Sequence, residues 1–364
     1  MTTDDTGHPF LSTLSFMLTY KCPISCPHCI VDAGPKRKEK MALGSVLGWI
    51  EEAAAYRKGS IKAIALTGGE PFYDLEILRL VSNYALDAGF DVSATTNAYW
   101  AKSLEQALDT LKLVPAIQTV SVSTDVYHQQ FITIDHISNA IRAAEALGRK
   151  FNIGVSTDNE DDEQYRSIMN RLQRIVEPEN IRTTVTFPVG RAKKHTHAFH
   201  YRTTHEPASS PCSMSNTPVV FPNGRVVACI GPIQTLSASC PMNLGNLRCE
   251  SLAGILDRAE TNPLLHLIRV WGPHKMISIL KAYGYEGLIP TSYICNSHCD
   301  ICFKLLSDTH IARLLRNILN DPENRAILAY ARMHHLHEPD MIQRYRLDGT
   351  EHIDSSNKLL QLDG

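Results

Sequence analysis

Three cysteines near the start of the chain, Cys22, Cys26 and Cys29, have the spacing C-x3-C-x2-C. Thiolates at this spacing can each bind one iron of a [4Fe–4S] cubane, and they leave the fourth iron without a protein ligand. A zinc site or a purely structural cluster would need a fourth ligand nearby. The missing ligand is therefore informative, because it predicts an iron that is open to a substrate or a cofactor.

Over residues 11–190, β-rich runs alternate with segments of helical periodicity, and the cysteine loop directly follows the first run. The predicted strands are Leu14–Thr19, Ile61–Thr67, Asp91–Thr96, Thr119–Thr124, Phe151–Thr157 and Thr183–Phe187. The predicted helices are Ser45–Lys58, Leu75–Ala88, Ser103–Leu113, Ile137–Leu147 and Glu163–Ile175. This alternation predicts an α/β fold with a parallel sheet, as a partial (β/α)6 TIM-type barrel, and an open doubly wound sheet is the alternative. Functional groups are expected at the carboxyl ends of the strands.

Each later strand ends in a short polar or glycine-rich motif. These motifs are Gly68-Gly69-Glu70-Pro71, Thr95-Thr96-Asn97, Ser121-Val122-Ser123-Thr124-Asp125, Ser156-Thr157 and Pro188-Val189-Gly190-Arg191. Glycines allow the backbone to approach a ligand closely, and a carboxylate suits an ammonium partner. Together with the cysteine loop, and in this order on successive strands, the motifs resemble those of the radical SAM superfamily over residues 12–192.

The resemblance implies an enzyme whose open iron chelates S-adenosylmethionine (SAM) and whose [4Fe–4S] cluster cleaves it to a 5′-deoxyadenosyl radical. It also implies a flavodoxin- or ferredoxin-type electron donor. His28 stands where the family usually has an aromatic residue near the adenine, and the Gly68–Pro71 motif would contact the methionine amino group. The cofactor-binding residues that it implies are His28, Gly68, Gly69, Glu70, Pro71, Asn97, Ser123, Asp125, Ser156 and Val189.

A second group of cysteines begins after residue 211. Cys212, Gly224 and Cys229 follow the pattern C-x11-G-x4-C, and Asn223-Gly224 predicts a β-hairpin whose returning strand carries Cys229. This pattern resembles the opening motif of SPASM and twitch extensions, which hold auxiliary [4Fe–4S] clusters. The auxiliary ligands that it implies are Cys212, Cys229, Cys299 and Cys302. Cys295 is an alternative ligand, and zinc is an alternative metal, since four thiolates suit either.

These patterns predict four parts of the chain. Residues 12–192 form the core barrel, 193–210 a linker, 211–307 a small α+β iron–sulfur extension, and 308–364 a helical, polar tail. The linker is rich in histidine, but the spacing of these histidines fits no compact metal site.

The composition is that of a globular protein, with 364 residues of which 43% are hydrophobic and 20% charged, and a net charge of −2. This balance favours neither nucleic acid nor a membrane as a partner, and no apolar run approaches the roughly 20 residues of a membrane span. The acidic segment Met1–Asp5 is unlike a signal peptide. We therefore expect a cytoplasmic protein whose ten cysteines serve as metal ligands rather than as disulfides.

The substrate is less well defined by the sequence. The first hypothesis is a net oxidation or crosslink in a ribosomal peptide, with the auxiliary cluster accepting the second electron. A small-molecule dehydrogenase or lyase that acts on a sugar, nucleoside or amino acid is one alternative, and a noncatalytic iron–sulfur electron carrier is another. A third alternative is a redox-neutral peptide epimerase in which Cys240 or Cys249 returns a hydrogen atom. His128, after the fourth strand, is a further candidate catalytic residue that could bind substrate, move a proton or cap the next helix.

Overall fold

The computed structural model describes residues 11–56, 61–338 and 357–359. Its strands are β1 (Thr13–Met17), β2 (Ala63–Thr67), β3 (Asp91–Thr96), β4 (Thr119–Thr124), β5 (Lys150–Thr157), β6 (Ile181–Val185), β7 (Thr203–Thr204), β8 (Val219–Val220), β9 (Arg225–Val227), β10 (Asn243–Asn246) and β11 (Tyr293–Ile294). Its helices are α1 (Leu43–Ala55), α2 (Leu75–Asp87), α3 (Leu104–Lys112), α4 (Ile134–Ala146), α5 (Glu163–Leu172), α6 (Leu252–Glu260), α7 (Pro263–Val270), α8 (His274–Ala282), α9 (His298–Ser307), α10 (Thr309–Leu319) and α11 (Pro322–His335). None of the described helices is long and apolar enough to span a membrane.

Strands β1 to β6 lie side by side in chain order, and each pairs in parallel with the next. Buried and less buried residues alternate along these strands, as in β4, where Val120, Val122 and Thr124 are buried. Helices α1 to α5 supply the crossovers between the strands. The predicted α/β class with six parallel strands is therefore confirmed, and within the described residues the sheet ends at β6 without closing into a barrel.

The predicted bounds lie close to the observed ones, and the differences have local causes. The third and fourth predicted strands coincide with β3 and β4. Strand β1 ends at Met17 rather than Thr19, because the chain leaves the sheet there and Thr19 forms an antiparallel bridge with Lys40 instead. Helix α1 ends at Ala55, and its predicted end at Lys58 lies outside the described residues.

The cysteine-rich extension continues the sheet of the core. Strand β8 pairs in parallel with the outer edge of β1, and the hairpin β8–β9 and strand β10 follow in antiparallel order. The Asn-Gly turn forms as predicted, with Gly224 at a φ of +83° that favours glycine. Side chains join the two parts as well, since Tyr56 donates a hydrogen bond to Asp257 of α6 at 2.9 Å. The division of the chain after residue 192 stays a prediction.

The predicted polar tail contains two amphipathic helices in its described part, α10 and α11. Leu315 and Leu319 of α10 are buried in the main core. Beyond α11, the carboxylate of Glu338 accepts hydrogen bonds from Arg269 of α7 and from Arg332 of α11, so these buried charges are paired. The two helices therefore pack onto the extension, and residues 339–356 and 360–364 of the predicted tail lie outside the described residues.

Candidate active site

A cavity of about 440 Å³ is lined by residues from the carboxyl-terminal halves of strands β1 to β6 and by residues of the extension. Seven of the ten cysteines line it, and these are Cys22, Cys26, Cys29, Cys212, Cys229, Cys299 and Cys302. The two cysteine groups are far apart in the sequence, so the topology of the sheet brings them together. The seven cysteines that the sequence analysis assigned to metal sites therefore share one cavity.

The glycine-rich turn after β2 packs directly against the start of the cysteine loop. A Cβ atom on Gly68 would lie 2.7 Å from the carbonyl oxygen of Thr19, and one on Gly69 would lie 2.8 Å from that of Tyr20. The amide of Gly69 donates to the carbonyl of Thr19 at 2.6 Å. Two backbone segments thus touch where no side chain fits, which explains the glycines in physical terms.

The segment after β6 holds the cysteine loop from its other side. The guanidinium of Arg191 donates to the carbonyl of Cys26 at 2.9 Å and to that of Ala33, and it pairs with Asp32 at 2.9 Å. The amide of Arg191 donates to the carbonyl of Cys29 at 3.0 Å. The sequence analysis named Val189 of this segment as a cofactor-binding residue and did not single out Arg191. No local signal in the sequence shows that its partners lie about 160 residues earlier.

Glu70 is fully buried and supports the end of β3. Its Oε1 accepts hydrogen bonds from the amide of Phe72 at 3.0 Å and the hydroxyl of Thr96 at 2.9 Å, and its Oε2 accepts from the amide of Asn97 at 2.8 Å. Burial raises the pKa of Glu70 to about 7, although the three donors act in the opposite direction. The carboxylate is therefore satisfied within the protein.

Six of the ten predicted cofactor-binding residues line the cavity. They are His28, Gly68, Gly69, Asn97, Ser123 and Ser156. The side-chain amide of Asn97 also points at the sulfur of Cys22, at 3.5 Å. The other four are buried and do not line the cavity, and they are Glu70, Pro71, Asp125 and Val189.

A buried carboxylate, that of Asp125, lies between two histidines that line the cavity. Its Oδ2 is 2.8 Å from Nδ1 of His128 and 3.3 Å from Nε2 of His28. Burial alone would raise the pKa of Asp125, but the two histidines more than offset it and hold that pKa well below the usual range. Burial alone would lower the pKa of His128. The charges of Asp125 and Cys26 outweigh burial, so this pKa lies well above its usual value.

The extension brings the second cysteine group together from three separate segments. Cys229 follows β9, Cys299 lies in the first turn of α9, and the amide of Cys212 donates to a carbonyl of α7 at 3.1 Å. A Cβ atom on Gly231 would lie 3.2 Å from the sulfur of Cys229 and 3.7 Å from that of Cys299. Glycine at this position thus leaves room beside the two sulfurs.

Three cysteines do not line the cavity. Cys249 is exposed, and Cys295 lies away from the cavity wall. Cys240 is buried and interacts electrostatically with Cys229 and Cys302. Cys240 is therefore a further buried thiol in the surroundings of the second group, which the spacing of the cysteines in the sequence did not indicate.

Both cysteine groups fit iron–sulfur clusters. Burial raises the pKa of Cys22 and that of Cys299 to about 12, so these thiols keep their protons until a metal replaces them. Beside the first group, Nδ1 of His28 is buried and has no hydrogen-bond partner in the described part of the protein. A donor set of three thiols with an unused polar atom next to it suits a cluster that binds one further ligand.

Comparison with known families agrees with this chemistry. Residues 16–172, from β1 to the end of α5, match the Radical SAM superfamily. These residues, somewhat less than half of the chain, are a radical SAM domain. Such a domain implies a [4Fe–4S] cluster that binds SAM, and it implies that a reductant supplies the electron for SAM cleavage.

Two curated relatives differ in how much of the chain they match. The putative peptide biosynthesis protein YydG of Bacillus subtilis is 21% identical over 303 residues, which are 81% of this chain and 92% of that protein. The GTP 3′,8-cyclase of Moorella thermoacetica is 29% identical over 201 residues, which are 52% of this chain and 59% of the cyclase. Among solved structures, BtrN in complex with AdoMet and 2-DOIA is similar at a TM-score of 0.41 and 16% identity, over 71% of this chain and 87% of BtrN.

Replacing Gly190 with alanine should lower the free energy of unfolding by more than replacing Gly148. Both glycines have a positive φ, which alanine adopts unfavourably, so either substitution should lower the free energy of unfolding by about 1 kcal/mol. Only the Cβ on Gly190 would meet another backbone, 2.6 Å from the carbonyl oxygen of Cys29. We expect a further loss of about 1–3 kcal/mol there, measured by urea unfolding of the metal-free protein. Equal losses in the two variants would contradict the described packing of the cysteine loop.

Replacing Glu70 with glutamine should destabilise the protein by about 1–3 kcal/mol, because the amide nitrogen would face a buried N–H donor and leave it unpaired. Urea unfolding at neutral pH measures the loss. The matched control is Glu145→Gln on the exposed face of α4, which should change the stability by less than about 0.5 kcal/mol. A Glu70 variant as stable as the control would show that the three hydrogen bonds are not made.

Proposed function

We propose that this enzyme reductively cleaves SAM, removes a hydrogen atom from a peptide and oxidises that peptide by two electrons, as an oxidation or a crosslink. The observation that carries the proposal is the single cavity whose wall contains both cysteine groups. The three cysteines of the first loop hold the SAM-binding cluster, and Cys212, Cys229, Cys299 and Cys302 hold the auxiliary cluster. When bound, the first cluster and SAM supply the 5′-deoxyadenosyl radical, and the auxiliary cluster supplies an electron acceptor.

A peptide is favoured over a small molecule by the extent of the relatives' matches. The YydG protein, whose name refers to peptide biosynthesis, matches through both the core and the extension, with 92% of its length covered. The match to the GTP cyclase covers 59% of that protein, so that likeness is confined to part of it. A small-molecule substrate is the alternative that these shorter matches would favour.

The residues of this chain divide between cofactor and substrate. Gly68, Gly69, Asn97, Ser123 and Ser156 line the cavity and would bind SAM through backbone and side-chain polar groups. Nδ1 of His28, which has no hydrogen-bond partner among the described residues, would be available to the adenine. On β6 and directly after it, Thr184 and Thr186 line the same cavity, and their hydroxyls can offer hydrogen bonds to a peptide backbone.

Hydrogen abstraction and a one-electron oxidation would together give the product. One electron from a flavodoxin- or ferredoxin-type donor and one SAM would yield methionine, 5′-deoxyadenosine and a radical on the peptide. Loss of one electron to the auxiliary cluster and of one proton to solvent would leave a closed-shell product. The net change in the substrate is the loss of two hydrogens, with SAM consumed as a co-substrate.

Epimerisation is the second candidate, and one observation favours it. Cys240 is a buried thiol that contributes to the raised pKa of Cys229 and of Cys302, and the four proposed cluster ligands do not include it, so it could return a hydrogen atom to the substrate radical. Epimerisation is less favoured because neither Cys240 nor Cys249 lines the cavity. The geometry therefore supports oxidation better.

Metal analysis and a SAM-cleavage assay should distinguish the roles of the two cysteine groups. After anaerobic reconstitution we expect about eight iron and eight sulfide per chain, and about four iron in a Cys299→Ala, Cys302→Ala variant, which keeps the first cluster. That variant should still form 5′-deoxyadenosine with dithionite, whereas Ala at Cys22, Cys26 and Cys29 should abolish it. Cys249→Ala is the control and should match the natural protein. Four iron with one zinc in the natural protein would rule out the auxiliary cluster.

The mass of the product distinguishes oxidation from epimerisation. Oxidation predicts one 5′-deoxyadenosine per product and a peptide two hydrogens lighter, because the substrate radical loses an electron and a proton. Mass spectrometry of a reaction run in deuterated water measures this. A product one mass unit heavier, with solvent deuterium on carbon, would overturn oxidation. Loss of that label in Cys240→Ala, but not in Cys249→Ala, would then identify Cys240 as the donor.

A further inference from the structure

The face of the sheet that borders the cavity is polar. Along β3, β4 and β5, buried residues alternate with half-buried ones. The half-buried residues include Ser93, Thr95, Ser121, Ser123, Gly154 and Ser156, and the last of them on each strand lines the cavity. The interior of a closed barrel is instead filled by bulky branched side chains. This face is therefore a polar surface that can contact a ligand, rather than a packed core.

Arg182 of β6 lies on the same face. The hydroxyl of Thr183, the next residue, is 3.0 Å from the hydroxyl of Tyr165 on α5, so Thr183 faces the helices. Successive side chains of a strand point to opposite faces, so Arg182 and Thr184 lie on the side of the cavity, which Thr184 lines. Arg182 is exposed there, on the last strand of the sheet in its described part.

The wall of the cavity is open next to Arg182. Arg182 pairs in register with Gly154 of β5, and Gly154 pairs with Ser123 of β4. Gly154 and Ser123 both line the cavity. A Cβ atom on Gly154 would meet no atom within 4 Å apart from those of its chain neighbours. Glycine at this position thus leaves space between Arg182 and the cavity.

The guanidinium of Arg182 forms no ion pair with any described residue, unlike two other arginines that follow β6. Arg191 pairs with Asp32 at 2.9 Å. Arg202 pairs with Asp161. A guanidinium has five N–H donors in a planar fork, which suits the two oxygens of a carboxylate. Arg182 therefore offers an anion site at the edge of the cavity, and an unmodified peptide has carboxylates as its anionic groups.

From this arrangement we infer that Arg182 binds a carboxylate of the peptide substrate and so determines which residue of the peptide lies in the cavity. The inference rests on the proposed function, which makes the substrate a peptide. The carboxylate belongs either to an Asp or Glu side chain or to the C-terminus. With it held at Arg182, the peptide would extend across Gly154 into the cavity, and Thr184 would be within reach of its backbone.

The test uses the reconstituted enzyme with SAM, dithionite and a mixture of synthetic peptides of random sequence in deuterated water. Modified peptides are recognised by the loss of two hydrogens or by deuterium on carbon, and mass spectrometry determines their sequences. One mixture has free C-termini and a second has amidated C-termini. A preference for Asp or Glu at one fixed distance from the modified residue would assign a side-chain carboxylate. Products from the first mixture alone would assign the C-terminus.

Variants of Arg182 should change this preference. In Arg182→Met we expect about tenfold less product from the preferred peptides, because a hydrogen-bonded charge pair is lost. Arg182→Glu should favour Lys or Arg at the position of the acid. Arg182→Lys keeps the charge without the planar fork, so it should keep the preference and form less product. The matched control is Arg171→Met on α5, an exposed arginine that should be replaceable without effect.

Each outcome decides the inference. The natural preference in both Arg182→Met and Arg182→Glu would overturn it, because Arg182 would then only protect the edge strand from pairing with other chains. Weaker binding of radiolabelled SAM to Arg182→Met in equilibrium dialysis without peptide would also overturn it, since Arg182 would then hold the carboxylate of SAM. Natural enzyme that modifies peptides with and without a carboxylate equally would do the same. Cleavage of SAM without any modified peptide would instead contradict the proposed function.

Discussion

Strand β1 pairs in parallel on both of its edges, with β2 on one side and with β8 on the other. The chain leaves β1 directly into the first cysteine loop, and β8 belongs to the hairpin that lies between Cys212 and Cys229. This double pairing fixes the two cysteine groups relative to one another, since each is attached to a strand that is hydrogen-bonded to the same neighbour.

Two buried carboxylates near this cavity show how their surroundings decide their charge. Glu70 meets only neutral donors from Phe72, Thr96 and Asn97, so burial prevails and raises its pKa to about 7. Asp125 meets two histidines, so attraction prevails over burial and its pKa falls. Glu70 therefore serves as an acceptor that ties together the ends of β2 and β3. Asp125 supplies a fixed negative charge that orients the histidines beside the first cysteine loop.

Those parts of the fold and the site that depend on short-range spacing could be predicted from the sequence. Alternating strands and helices predict the parallel sheet, and the C-x3-C-x2-C loop with Gly68-Gly69 predicts a ligand site, because the spacing itself limits the geometry. The hydrogen bonds of Arg191 to the cysteine loop and the pairing of His28 with Asp125 could not be predicted. They depend on how distant segments pack, for which the sequence has no periodic or spacing signal. The same is true of the pairing of β8 with β1, because either edge of a short hairpin can extend a sheet.

The central claim is that Cys22, Cys26 and Cys29 hold a cluster with an open iron that faces the cavity and binds SAM there. Electron–nuclear double resonance on the reduced enzyme with SAM labelled by ¹⁵N at the amino group tests this most directly. A nitrogen coupled strongly to the cluster, in the natural protein and also in the Cys299→Ala, Cys302→Ala variant, is the result that the account predicts. A cluster signal without nitrogen coupling at saturating SAM, or a coupling lost in that variant, would contradict it.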